Sequence, residues 1–375
     1  MEIDGDVKNI KIIIMVFFFI IMYNIMGIKV YCRVRDGNFN KMVQNNKCCN
    51  LHVTHKNKKY DFELNKVWNS GETNEEIFED LVSTIKTQFI TYWVAFGYTG
   101  SGKTYTTINL IRNLYNHILS NVKNKLRISA IQIYNDEIYD LLNDNIKLQY
   151  YKTNELIIKN VHKKQTDNID EILQIIEQNR TTAQTRLNCC SSRSHAIITI
   201  YNNKKRYVIV DMAGQEISAN INKNAEIQKQ ANNINLNMLA LKDCIQCLKD
   251  KKKYIPYRRT ILTLALRPIF EYNCNVSFIC NVNLNQHLYY QLDSLKYASF
   301  LFSKNNKKEK INDLFFKQYT SYIQDIGLHE CDERMLWNDM KEGKFDNTPS
   351  VEKLLHKKRK CIDTMMKHVI SLPKI

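Results

Sequence analysis

Residues 97–104 read Gly97-Tyr98-Thr99-Gly100-Ser101-Gly102-Lys103-Thr104, a complete G-x-x-x-x-G-K-[ST] loop. Three of the 10 glycines in the chain fall inside it. Glycine lets successive backbone N–H groups turn inward, and a ring of inward N–H groups binds phosphate oxygens. Lys103 is placed to neutralise phosphate charge, and the Thr104 hydroxyl to ligate Mg²⁺. The apolar run Thr91–Phe96 before the loop predicts a buried strand, and the residues after Lys103 carry helical spacing. Strand, loop and helix together aim a helix N-terminus at the phosphates. The chain is therefore expected to build an α/β domain around this loop.

Two later segments sharpen that expectation. Asn188-Cys189-Cys190-Ser191-Ser192-Arg193-Ser194-His195 gathers hydroxyls, a guanidinium and an imidazole before the strand-like Ala196–Tyr201. Asp211-Met212-Ala213-Gly214-Gln215-Glu216 follows the apolar Tyr207–Val210. An Asp at the carboxyl end of a buried strand suits water-mediated Mg²⁺ binding, and Gly214 permits close backbone approach to a phosphate. Each segment is common alone; in this order behind the loop they form a set.

In these words the chain resembles the kinesin motor domain, whose motifs G-Q-T-G-S-G-K-T, N-x-x-S-S-R-S-H and D-L-A-G-S-E stand here as G-Y-T-G-S-G-K-T, N-C-C-S-S-R-S-H and D-M-A-G-Q-E. Ile28–Arg35, Gln132–Leu142, Leu239–Leu248, Ile255–Thr263 and Leu292–Ala298 match in family order, so the resemblance covers roughly 28–303. It implies a P-loop architecture with a central, mostly parallel twisted sheet and helices on both faces. It implies ATP and Mg²⁺ as cofactors. Gly97, Tyr98, Thr99, Gly100, Ser101, Gly102, Lys103, Thr104 and Tyr105 would hold the nucleotide, with Arg33, Arg35, Asn188 and Ser191 beside it. Thr104 and Ser192 would ligate the metal, with Asp211 one water away. Lys103, Ser192, Arg193, Gly214 and Glu216 would carry hydrolysis, Arg193 and Glu216 as an ion pair closing the site.

Five departures bear on that reading. Asp36 stands where the family has an adenine-packing proline, and Tyr98 replaces a glutamine. Ile217 replaces an arginine, and Leu236 and Ile261 replace lysines of the filament-facing region. The nucleotide words are kept while the coupling and filament words are eroded. That pattern fits slow or altered motor activity. Ser191–Ala196 and Leu239–Ile245 look most like the microtubule-depolymerising internal-motor kinesins, but their lysine-valine-aspartate finger is not recognisable in 41–60.

The net charge of +16 is compatible with nucleic acid, an anionic membrane or an acidic protein surface. No zinc-finger, RNA-binding or basic-zipper pattern supports nucleic acid. The resemblance favours microtubules (tubulin), in the cytoplasm. The stretch Lys249–Arg259 holds six basic residues and one acid, and the resemblance turns Lys251, Lys252, Lys253, Arg258 and Arg259 toward the filament. The 11 cysteines lack the paired spacing of a zinc site and read as reduced thiols.

Three regions are expected: an apolar segment 1–27, a motor domain 28–303, and a basic linker with a short helical tail 304–375. Ile12–Tyr23 has three readings: a signal or membrane anchor, a buried extra element, or residues preceding a start at Met22 or Met26. We favour the last two, which argues against a membrane partner. The tail lacks three sustained heptads, so no coiled coil is expected and the oligomeric state stays open. Helices are expected over 74–88 (N-cap Thr73), 168–179, 225–248, 260–272 and 286–302, and strands over 28–35, 127–134, 155–161 and 275–282, with 41–59 a hairpin or loop. The leading function is an ATP-hydrolysing microtubule motor. The alternatives are a static nucleotide-gated clamp, a depolymerase, or a P-loop ATPase or GTPase acting elsewhere.

Overall fold

The computed structural model describes residues 28–35, 41–44, 48–55, 58–85, 90–121, 126–152, 156–187, 191–203, 205–214, 225–250, 252–271, 274–285 and 288–302, with backbone alone at 41–44, 181–187, 191 and 225–227. The apolar run 12–23, Asn188, Gln215, Glu216, Lys251 and the linker and tail from 303 lie outside the described residues. The chain divides into two units after Lys304, and the described residues all lie in the first.

The strands are β1 (Ile28–Val34), β2 (Lys41–Gln44), β3 (Cys49–His55), β4 (Lys58–Leu64), β5 (Lys66–Trp68), β6 (Ile90–Phe96), β7 (Leu126–Tyr134), β8 (Glu137–Asp140), β9 (Ile146–Lys147), β10 (Tyr150–Lys152), β11 (Leu156–Ile158), β12 (Lys164–Thr166), β13 (His195–Asn202), β14 (Lys205–Asp211) and β15 (Asn275–Val282). The helices are α1 (Asn74–Val82), α2 (Lys103–Leu119), α3 (Ile169–Leu187), α4 (Ala225–Lys249), α5 (Ile261–Ala265), α6 (Arg267–Glu271) and α7 (Leu288–Phe302).

Ten strands form one sheet in the order β5-β1-β15-β6-β14-β13-β7-β8-β9, with β12 on β7. The ladder from β5 to β14 is parallel, and β13 runs antiparallel to both β14 and β7. The sheet is thus parallel around the loop-bearing strand and antiparallel beyond it. A parallel sheet covered on both faces needs strands that are apolar on both, and β6 is buried at every residue after Ile90. Alternate side chains separate the two cores. Val30, Cys32, Tyr92, Val94, Phe96, Val210 and Phe278 pack with α4, α5 and α7 on one face. Tyr31, Trp93, Ile209 and Ile279 pack with α1, α2 and α3 on the other.

Most expected elements appear, with five differences. The expected helix 74–88 ends at Val82, with Ser83 as its C-cap. The expected helix 260–272 is two short ones, α5 and α6. Pro268 has no N–H to continue the ladder, so the chain turns at Leu266. The expected helix 168–179 runs on to Leu187. The expected strand 155–161 shrinks to β11, in a hairpin with β10. The expected hairpin 41–59 is a three-stranded antiparallel meander that continues to Leu64. Thr73 caps α1 through a reciprocal capping box with Glu76, as its sequence requires.

The sheet edge at β5 is held by one aromatic. Trp68 is fully buried, stacks on Tyr31 at 4.8 Å, and donates its indole N–H to Asp80 Oδ2 at 2.7 Å. Replacing it leaves a large cavity and an acceptor short of one donor. Trp68→Ala should therefore lower unfolding stability by about 3–5 kcal/mol, read as a drop in the denaturant midpoint.

Candidate nucleotide site

The site lies at the carboxyl ends of β6, β14 and β15, the crevice where parallel α/β sheets place their ligands. The loop leaves β6 at Gly97, whose φ of +142° is open to glycine and closed to other residues. A Cβ there would stand 2.2 Å from the Asn281 carbonyl of β15. Gly100 and Gly102 also have positive φ, 77° and 99°, so the loop curls back over the start of α2.

Lys103 is buried in this curl, and its ammonium donates to the carbonyls of Gly97 (3.1 Å) and Tyr98 (2.9 Å). Thr104 Oγ1 donates to Asp211 Oδ2 at 2.8 Å. Asp211 ends β14 opposite Ala95 of β6, so two neighbouring strands set this pair. The hydroxyls of Thr99 and Ser101 and the second oxygen of Asp211 are buried without a partner among the described residues. Buried polar atoms are normally satisfied. A glycine-turned loop, a buried ammonium and three unmatched polar atoms fit a nucleotide phosphate chain with its cation.

Strand β1 and helix α2 bring further side chains to the loop. Arg33 donates to Thr106 Oγ1 at 3.0 Å and lies 5.2 Å over the Tyr105 ring, while Arg35 reaches the Gly100 carbonyl at 3.4 Å. Tyr105 is exposed and its hydroxyl accepts from Asn74 Nδ2 at 2.9 Å. Tyr98 stacks on Tyr290 of α7 with ring centres 5.0 Å apart. Structure therefore unites Arg33, Arg35, Tyr98 and Tyr105 with the loop.

The two later segments meet each other directly. Ser191–Arg193 form a 3-10 turn, and the Gly214 N–H donates to the Ser192 carbonyl at 2.7 Å. A Cβ on Gly214 would approach Thr99 Oγ1 to 2.0 Å, so only glycine fits between the turn and the loop. Arg193 donates to Gln230 Oε1 (2.9 Å), and Gln230 Nε2 to the Tyr134 hydroxyl (2.7 Å). Glu216, the expected partner of Arg193, and Asn188 lie outside the described residues; of Ser191 only the backbone is described.

Sequence reasoning missed two polar groups here. Gln230 sits in a polar stretch of α4 without a motif. Arg180 sits in α3 and is buried, donating to Asp211 Oδ2 at 2.7 Å and toward the Ser194 carbonyl at 3.4 Å. Arg180 stands in the polar run Glu177–Thr182, where no local spacing marks it.

Away from the crevice, Lys252, Lys253, Arg258 and Arg259 are exposed beside the carboxyl end of α4. Arg259 pairs with Asp243 at 2.5 Å and Lys252 stands 4.0 Å from Asp250, so part of this charge is offset. Lys249 is turned inward, its ammonium on the Phe300 carbonyl, and burial lowers its pKa to about 8. Leu236 and Leu239 are exposed on the same helix.

Residues 29–302 match the sequence profile of the kinesin motor domain. The chain belongs to the kinesin family. Kinesin-like protein KIN-13B of Arabidopsis thaliana is 30% identical over 67% of this chain and 42% of its own length. Kinesin-related protein 7 of Dictyostelium discoideum is 28% identical over 60% of this chain and 21% of its own length. The solved motor domain of the Saccharomyces cerevisiae kinesin-like protein Kar3 is 26% identical, with a TM-score of 0.59 over 74% of this chain and 100% of its own. This kinesin chain spans between 21% and 42% of the length of these two curated relatives.

His195 gives the site a pH signature. Its Nδ1 accepts from the Ala213 N–H at 3.1 Å, and burial lowers its pKa to about 4. A folded-state pKa below the unfolded value of about 6.5 means the unfolded chain binds the extra proton first. This contribution is complete above pH 6.5 and is lost as pH falls toward 4. Unfolding free energy should decline by at most about 1.4 kcal/mol per pH unit in that window from this residue alone. His195→Asn should flatten the slope in denaturant melts between those pH values.

Proposed function

We propose that this chain is a kinesin-type ATPase that binds Mg·ATP, hydrolyses it, and couples the change to binding of cytoplasmic microtubules. One observation carries the reading: Lys103, Thr104, Asp211 and the Ser192–Gly214 contact converge on one glycine-turned loop with unmatched buried hydroxyls.

Bound Mg·ATP supplies the transferable phosphoryl group and a divalent charge. The chain supplies position and electrostatics, which dominate phosphoryl transfer. Lys103 exchanges its two carbonyl bonds for phosphate oxygens. Thr104 and Ser192 would hold the metal through their hydroxyls, and Asp211 would accept from a water on it. The Gly214 N–H leaves the Ser192 carbonyl to bond a phosphate oxygen. By the family resemblance, Arg193 would exchange Gln230 for Glu216, an ion pair that would close the site and orient the attacking water. The cation–π pair of Arg33 and Tyr105 offers a flat face to the base, in place of the missing proline.

A second reading, a nucleotide-gated clamp with little hydrolysis, is supported by the exposed Leu236, which stands where the family carries a filament-facing lysine. Steady-state ATPase with and without microtubules separates the two: stimulation supports the motor, and binding without turnover supports the clamp. Absence of both microtubule binding and ATPase would sink the proposal.

Lys103→Ala should reduce turnover on the order of 100-fold or more, because a preorganised charge is lost at the transferring group. ATPase at saturating ATP checks this. Replacing Lys251, Lys252 and Lys253 by Gln should weaken microtubule binding several-fold at low salt and less at physiological salt, since exposed charges are screened. Basal ATPase should not change. Co-sedimentation over a salt series reads the effect.

A further inference from the structure

Tyr98, the second residue of the loop, is an aromatic where the family pattern has glutamine. Its backbone and its ring are held by different parts of the fold. The backbone sits inside the curl, its carbonyl accepting from the Lys103 ammonium (2.9 Å) and from the Ser101 N–H (3.2 Å). The ring leaves the loop and stacks on Tyr290 in the first turn of α7, with centres 5.0 Å apart and planes within 14°. Tyr289, which is exposed, meets Tyr290 edge-on at 5.6 Å. This end of α7 is a firm base. Leu292 and Leu295 are buried in the core on that face of the sheet, and Gln291 accepts from the Asn283 N–H just past β15 (3.3 Å).

Lys103 cannot keep the Tyr98 carbonyl and also serve a phosphate. When the ammonium turns to phosphate oxygens, the Ser101 N–H is the one of these two donors that stays. The ring stack needs no change in that exchange and continues to tie residue 98 to α7. A loop already held in its bound shape loses less entropy on binding than one its ligand must order. We infer that Tyr98 and Tyr290 form a clasp that holds the nucleotide loop curled against α7, slows nucleotide release and passes occupancy of the loop to the start of that helix. The inference rests on the Mg·ATP reading above. Tyr290 is a positioning residue, which touches Tyr98 and acts through it. The coupling runs both ways, since a contact that steadies the occupied loop is itself steadied by occupancy.

The test is release of a fluorescent ADP analogue from the full chain in Mg²⁺, followed by stopped flow. Tyr290→Ala should speed release on the order of fivefold, the contribution of one aromatic pair. Tyr98→Ala should do the same, and the double variant should add little to either, because residues acting through one contact are not additive. Tyr98→Phe keeps the ring and should restore slow release. Hydrogen exchange reads the far side of the clasp: the analogue should slow amide exchange over 292–296 of α7 in the unaltered chain but not in Tyr98→Ala. Unchanged release in Tyr290→Ala would overturn the inference, as would single effects that multiply in the double variant. So would a Tyr98→Phe chain that releases as fast as Tyr98→Ala, or protection of 292–296 that survives in Tyr98→Ala. If either alanine variant does not fold by circular dichroism, Tyr98→Gln and Tyr290→Leu, which each remove one ring, take their places. An unaltered chain that binds no nucleotide would instead sink the Mg·ATP reading itself, and the clasp with it.

Discussion

Lys103, Arg180 and Asp211 are charged side chains buried together at the end of an apolar sheet. Charges in that setting are tolerated only when each faces an opposite charge or a dipole. Lys103 faces two loop carbonyls, and Arg180 faces Asp211. The loop must curl for those carbonyls to turn inward, so Gly97 and Gly102 need positive φ. Strands β6 and β14 must lie side by side for Thr104 to meet Asp211. The geometry of the crevice follows from satisfying this small group of ions.

The sheet meets that demand because it is covered on both faces. Val94 and Phe96 look toward α4 and α7, and Trp93 toward α2. Rigid strands fix the loop at one end, and α2 fixes it at the other. Dense packing on both sides leaves the strand ends little freedom to shift. The turn at Ser192 meets Gly214 through a backbone hydrogen bond instead of a strand ladder.

The central elements were legible because two signals agreed in each. In β6 an unbroken apolar run led into a glycine-turned loop, and β15 was expected over 275–282 and is found there. Thr73 and Glu76 announced the start of α1 by their spacing. Signals conflicted where the reading missed. Residues 260–272 hold helical spacing, yet Pro268 removes a backbone donor and the helix splits. The continuation of α3 past Asn179 runs through a polar stretch that offers no periodic stripe. Arg33, Lys103, Thr104 and Asp211 were legible as words of a family. Arg180 was not, because its role exists only once α3 packs against the ends of β13 and β14, a neighbourhood that no local spacing encodes.

Gln230 links the turn at Arg193 to Tyr134 of β7 through a neutral amide. A carboxylate in its place would hold the guanidinium by charge as well as by hydrogen bond, a stronger grip. The amide gives Arg193 a defined place without a counter-charge. Its hold should also be nearly indifferent to ionic strength, since one side carries no charge to screen. The long helix α4 is thereby tied to the turn at Arg193 through a hydrogen bond to a neutral amide.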